Sequence, residues 1–188
     1  MSKIPDIIFK NKVIAAVASV EKFKEAVADS NISCIMLKFG NIDNISELVE
    51  VAHKNNKKII VHLDAIKGIA KDPHGIKYLA KIGVDCMNTT NPNLISTIRE
   101  AGMVAIQVMF LVDQEALKAG IESINRNKPD GVIIMPMSIP EKIIKDILQK
   151  TKVDLIAGGL LTEKNEISEC LNKGFSAVVT SHKNLWKN

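Results

Sequence analysis

Val153-Asp154-Leu155-Ile156-Ala157-Gly158-Gly159-Leu160 is an aliphatic run closed by two glycines, and a segment of helical periodicity follows it. Aliphatic residues without polar alternation suit a parallel strand that is covered on both faces. Paired glycines at its carboxyl end let backbone N–H groups come close to an anion, and the next helix turns its positive N-terminus toward the same point. Further on, Ala177-Val178-Val179-Thr180-Ser181 repeats the strand-like pattern and ends in hydroxyl side chains. The two strand ends together make Gly158, Gly159, Leu160, Thr180 and Ser181 a candidate phosphate site. The same residues also suit a tight strand-to-helix turn and a capped terminal turn.

Working outward, runs of this kind recur at Val13–Val17, Ile32–Leu37, Ile59–Leu63, Val84–Asn88, Met103–Met109, Gly131–Met135, Val153–Ala157 and Ser176–Thr180. Amphipathic segments separate them, such as Ile45–Asn55, Leu94–Ala101, Glu115–Asn127, Ile139–Lys150 and Glu163–Lys173. In the first of these, Ile45, Leu48, Val49 and Ala52 share one helical face while Glu47, Glu50, His53 and Lys54 take the other. Gly83, Gly102 and Gly174 stand where helices should stop, and Thr162 with Asn165 and Glu166 marks a helix start. This βα succession, unbroken by any linker, predicts an α/β protein: one compact (β/α)8 TIM-barrel-like domain of parallel strands over residues 1–188. Such barrels seldom use fewer than about 200 residues, so the loops must be short or a terminal unit reduced. An open doubly wound sheet has the same periodicity, although no GxGxxG follows the first strand.

The 188 residues include 25 basic and 21 acidic side chains, a net charge of +4, and are 46% hydrophobic. Arg99 and Arg126 are the only arginines, so the lysine-rich surface is weak evidence for specific nucleic-acid recognition. Cys34, Cys86 and Cys170 lie far apart and read as reduced core thiols; no CxxC or HxxxH spacing suggests a metal site. Met1–Lys12 lacks a signal-type apolar core and no apolar span approaches membrane length, so a cytoplasmic protein is expected.

Functional side chains of parallel barrels collect at the carboxyl ends of the strands. Those ends carry Lys38, His62 with Asp64, Asn88-Thr89-Thr90-Asn91, Gln107, Met135-Pro136-Met137-Ser138 and Thr180-Ser181-His182. His62 and Asp64, two apart on a strand, would share a face and serve as an acid/base pair, hold a ligand hydroxyl, or fill the polar top of the barrel. Lys38 suits an anion contact or a Schiff base. Trp186 is expected to pack the C-terminal turn against the barrel.

The order VHLDAIKG at Val61–Gly68, Asn93-Leu94-Ile95, Ile106-Gln107 followed by Phe110-Leu111-Val112-Asp113, Lys128-Pro129-Asp130, IAGGL at 156–160, and Thr180-Ser181 with Asn184-Leu185-Trp186 resembles the glycerol uptake operon antiterminator family. The likeness runs from about Val13 to the C-terminus. It implies a non-catalytic regulator that responds to glycerol 3-phosphate and binds the leader mRNA of glycerol-utilisation genes to prevent premature termination. No cofactor or metal is implied beside that effector. Its phosphate would sit at Gly158, Gly159, Thr180 and Ser181, with Lys38, His62, Asp64 and Gln107 toward its hydroxyls. Asn91, Val108 and Met137 depart from the family's pattern, the first two by losing a charge and the last by crowding the pocket. The alternative is a small barrel enzyme acting on a sugar phosphate, an epimerase, aldolase or synthase, using Lys38, His62 and Asp64. It lacks a second carboxylate at a strand end. A metabolite-binding protein that signals through a protein partner is a third reading. Ile143, Ile144 and Ile147 leave room for a homodimer.

Overall fold

In the computed structural model, which describes Ile4, Ile8 and residues 10–187, eight strands close into a barrel in sequence order. They are β1 (Val13–Val17), β2 (Cys34–Leu37), β3 (Lys58–His62), β4 (Cys86–Thr89), β5 (Val104–Phe110), β6 (Gly131–Met135), β7 (Asp154–Gly158) and β8 (Ala177–Thr180). Every neighbouring pair is parallel, and the register of β8 on β1, with Ala15 opposite Thr180, closes the ring and rules out the open sheet. The covering helices are α1 (Val20–Ala28), α2 (Ile45–Lys54), α3 (Pro73–Lys81), α4 (Ile95–Glu100), α5 (Gln114–Asn127), α6 (Glu141–Thr151) and α7 (Lys164–Lys173). Among the described residues, β8 is followed by the 3-10 turn Lys183–Leu185. Most of Met1–Lys12, including much of the stretch read for a targeting signal, lies outside the described residues.

The continuous apolarity of the strands follows from their having two buried faces. Ile14, Met36, Ile60, Cys86, Ile106, Val108, Ile133, Ile156 and Val179 point into the barrel. Their neighbours Val13, Ile35, Val61, Met87, Ala105, Met109, Val132, Leu155 and Val178 meet the helices. At the amino-terminal rim, carboxylates pin strand to strand. Asp85 accepts from the Ile59 N–H at 2.9 Å, from Lys58 Nζ at 2.6 Å and from His53 Nε2 at 2.8 Å. Asp130 accepts from the Ala105 N–H at 2.9 Å. These contacts belong to the face of the fold that carries stability rather than ligands.

Local signals place the helices. Ser19, Asp72 and Asp113 cap α1, α3 and α5 through their side chains. Helix α7 takes Glu163 as its N-cap, in a capping box with Glu166, one residue beyond the expected Thr162; the Thr162 N–H still donates to Glu166 at 2.7 Å. Gly83, Gly102 and Gly174 all adopt positive φ. Ile144 and Ile147 are fully buried against the barrel, whereas Ile143 beside them is half-buried. The three cysteines are free and buried, no cluster among the described residues could hold a metal, and none of their helices is long and apolar enough to cross a membrane.

Candidate ligand-binding site

A cavity of about 340 Å³ opens at the carboxyl ends of the strands. Lys38 from the end of β2, His62 from β3, Asn88 from β4, Val108 and Phe110 from β5, Met135 from β6 and Thr180 from β8 line it. Gly159, Leu160 and Leu161 after β7 and Ser181 and His182 after β8 complete the wall, with Thr90 beyond β4. The structure thus gathers Lys38, His62, Gly159, Leu160, Thr180 and Ser181 from the expected set around one space. No carboxylate among the described residues lines it, and Lys38 brings a positive charge.

The glycine pair divides its work. Gly158 ends β7 with its Cα facing inward; a Cβ there would stand 3.0 Å from Val179 Cγ1 and 3.1 Å from both Ile133 Cγ2 and Met135 Cε. It does not itself line the cavity; it leaves room for residues that do. Gly159 has φ +75° and Leu160 has φ 61°, so the chain turns through two left-handed residues that carry the backbone across the mouth. This turn leaves Leu160 77% exposed. On β8, the buried Thr180 Oγ1 accepts from the His182 N–H at 3.1 Å, which leaves the hydroxyl proton free to donate. The Thr180 carbonyl accepts from the indole of Trp186 at 3.3 Å, and Trp186 is buried in the core between strands and helices, packing the C-terminal turn against the barrel as expected.

His62 and Asn88 are register partners on adjacent strands. Burial holds the His62 pKa below the ordinary imidazole value; the Asp64 carboxylate opposes this and Lys38 reinforces it. The ring is therefore neutral at pH 7. The Asn88 amide pulls the ring's pKa weakly upward without closing a hydrogen bond of normal geometry. His62 Nδ1 and Asn88 Oδ1 are both buried and have no hydrogen-bond partner among the described residues.

Three expected pocket residues stand elsewhere. Asp64 is not on the strand with His62, because β3 ends at His62 and the chain enters a 3-10 turn, Leu63–Ala65. Its carboxylate accepts from the Thr90 N–H at 2.8 Å and the Thr90 hydroxyl at 3.1 Å, with Lys71 Nζ 3.6 Å away. Burial pushes the Asp64 pKa up, but the bonds from Thr90 outweigh it and the net shift is downward. Asp64 therefore shapes the wall through Thr90. Gln107 lies on the helix-facing side of β5, between Ile106 and Val108, and is bonded to Ser123 of α5 at 3.1 Å. It cannot reach a ligand in the barrel mouth. Met137 is buried against Cys170 and does not crowd the cavity. Asn88, Thr90, Met135 and His182, all read among the polar strand ends, line the site as well, and Phe110 joins them; Asn88 has the inward phase, two residues after Cys86.

Fold and cavity define a (β/α)8 barrel with a cationic, carboxylate-free mouth that is compatible with an anionic ligand. The chain belongs to the glycerol-3-phosphate responsive antiterminator family, whose pattern matches residues 13–186. It is similar to the glycerol uptake operon antiterminator regulatory protein of Listeria monocytogenes str. 4b F2365, at 27% identity, TM-score 0.88, and coverage of 94% of this chain and 95% of that one. A glycerol uptake operon antiterminator-related protein of Thermotoga maritima MSB8 shares 26% identity at TM-score 0.84, over 94% of this chain and 98% of that one. YgcP of Escherichia coli K12 is 27% identical over 178 residues, 94% of this chain and 92% of that protein. Likenesses to barrel enzymes, such as orotidine 5′-phosphate decarboxylase of Pyrococcus horikoshii at 18% identity, are likenesses of fold alone.

Proposed function

We propose that this protein is a cytoplasmic, glycerol 3-phosphate-responsive antiterminator that binds the leader mRNA of glycerol-utilisation genes, with its effector in the barrel mouth. The observation that carries this reading is the cavity itself: in a member of this family, a mouth bearing Lys38, a left-handed glycine turn and the Thr180-Ser181 end, with no carboxylate on its wall. The phosphate would rest against the backbone of Gly159 and Leu160, the hydroxyls of Thr180 and Ser181, and the charge of Lys38. Oriented N–H groups and a positive side chain are the ordinary partners of such an anion.

An effector acts only through a difference in its affinity for two conformations. The left-handed turn at Gly159-Leu160 is the segment best placed to register occupancy, since it carries an exposed side chain at the rim and forms the cavity wall at once. The enzyme reading loses its acid/base pair here, because Asp64 is engaged by Thr90 and lies off the cavity wall. The test is a thermal-shift titration: glycerol 3-phosphate should raise the melting temperature with concentration, by about 2.7 kcal/mol of apparent stability at one hundred times Kd. Flat melting at millimolar effector removes the proposed ligand. RNA binding is tested separately through the salt dependence of leader-transcript affinity, which should be steep if several phosphates are contacted.

A further inference from the structure

Each strand of the barrel except β2 is entered through a residue with positive φ. Before β4, β5 and β8 that residue is glycine (Gly83, Gly102 and Gly174), and before β3 it is Asn56. Glycine and asparagine adopt the left-handed conformation most readily. Before β6, β7 and β1 the position is held by lysine instead: Lys128 at φ 50°, Lys152 at φ 53° and Lys12 at φ 58°. A lysine there keeps a steric strain that glycine would remove, so the turn itself does not call for it. The helix dipole favours a cation near the ends of α5 and α6, but Arg126 and Lys150 in the last turns already supply one without that strain. All three lysines are exposed, and none makes an ion pair or a side-chain hydrogen bond among the described residues. Because β6, β7, β8 and β1 are consecutive in the ring, the lysines form one arc on the amino-terminal rim, with exposed Arg126 just ahead of Lys128. Carboxylates near the arc are already engaged: Asp130 with the Ala105 N–H, Asp146 with Lys150 and Asp154 with Ser176.

Among the described residues the large hydrophobic side chains that are exposed, Val20, Ile42, Phe110, Val112 and Leu160, all lie on segments that follow the carboxyl end of a strand. The amino-terminal face offers none, so it has neither a platform for unstacked bases nor an anchor for a membrane. What it does offer is a row of ammonium groups on flexible stems, which suits a polyanion presented by its phosphates. We infer that the arc of Lys128, Lys152 and Lys12, on the end of the barrel away from the effector cavity, docks the phosphate backbone of a base-paired RNA segment. Such segments are met through shape and phosphate rather than through base edges. This inference rests on the RNA-binding reading above and goes beyond it by giving the RNA a face of its own. That end of a barrel ordinarily serves stability, and the left-handed lysines are where this chain departs from the rule. With RNA at one end and effector at the other, the two do not compete for space and can be held together.

The experiment measures the affinity of the whole protein for a glycerol-operon leader transcript across a salt series. Combining Lys12→Gly, Lys128→Gly and Lys152→Gly should weaken binding and reduce the slope of log affinity against log salt by about one per lysine. Arginine at the same three positions keeps the charges and should keep the slope. So should Lys67→Ala, which removes an exposed cation from the effector-bearing face. The triple glycine variant should melt no lower than wild type, since the strain leaves with the lysines, and glycerol 3-phosphate should still raise its melting temperature. Lysines with a purely structural role would instead lower the melting temperature on becoming glycine and leave the salt slope alone. An unchanged slope in the triple glycine variant, or an equal loss in Lys67→Ala, overturns this surface and leaves the RNA reading standing. Failure of wild type to bind the transcript overturns both.

Discussion

Gly158 and Gly159 adjoin in sequence but are glycine for different physical reasons, and substituting each by alanine and by asparagine separates them. Gly158 is not left-handed; its constraint is space, with Val179, Ile133 and Met135 standing 3.0–3.1 Å from an added Cβ. Alanine there must push two β-branched side chains and the flexible end of Met135, an overpacking cost of about 1–2 kcal/mol. Asparagine adds a buried amide with no acceptor or donor nearby, and the total rises to about 3 kcal/mol or more. Gly159 has φ +75° and its nearest Cβ neighbour would be Met135 Cγ at 3.8 Å, so space is free and the backbone is the constraint. Alanine there costs about 1–2 kcal/mol, whereas asparagine, which visits the left-handed region readily, costs about half that. For a chain of this size 1 kcal/mol moves the melting temperature by roughly 2–4 °C. Calorimetric or circular-dichroism melts should therefore show the two alanine variants close together and the two asparagine variants far apart, with Gly158→Asn lowest and Gly159→Asn nearest wild type. If Gly159→Asn melts as low as Gly158→Asn, the division of roles is wrong.

Three further outcomes follow from other contacts. Asp85→Asn should cost about 1.5–3 kcal/mol, because it breaks charge-assisted bonds to Lys58, His53 and the Ile59 N–H. Burial pushes the Asp85 pKa up but those bonds outweigh it, and the net shift is downward. The stabilisation is thus present above the unfolded carboxylate pKa, near 3.8, and lost as pH falls through the lower folded value, so the variant's stability should vary less with pH in that window. His62 also has a depressed folded pKa, dominated by burial, so it too destabilises the fold as pH falls below its unfolded value near 6.5. Urea melts from pH 7 to 5 should show a shallower loss in His62→Gln than in wild type. Gln107→Leu removes the link to Ser123 and should lower stability by about 1 kcal/mol while leaving glycerol 3-phosphate affinity unchanged. A large affinity loss in a well-folded variant would return Gln107 to the site.

The barrel was legible because its strands are buried on both faces and so stand out as unbroken aliphatic runs; the bounds of Val13–Val17 and Gly131–Met135 were readable to the residue. The same property hid the site. On β5, residues of both phases are apolar, so nothing in the run says that Ile106 and Val108 face inward and Gln107 outward. The His62-Asp64 pairing assumed a strand that continues past His62, and the 3-10 turn Leu63–Ala65 rotates Asp64 away toward Thr90. Asn88 shows a related difficulty: the polar run Asn88-Thr89-Thr90-Asn91 does not say which of its members faces the barrel interior until the register of Asn88 with His62 is seen. The glycine turn and Thr180-Ser181 were recognisable since conformation and hydroxyl chemistry are written in the residue types themselves.

The most direct test of the account is the affinity of this protein for a glycerol-operon leader transcript, measured with and without glycerol 3-phosphate at constant ionic strength, against a matched mixture of glycerol and inorganic phosphate. Linkage requires that an effector which alters RNA affinity be altered equally in its own affinity by RNA. The account predicts that glycerol 3-phosphate shifts RNA binding by about fivefold or more and that the mixture does not. An RNA affinity indifferent to glycerol 3-phosphate, in protein that the ligand demonstrably saturates, would contradict it.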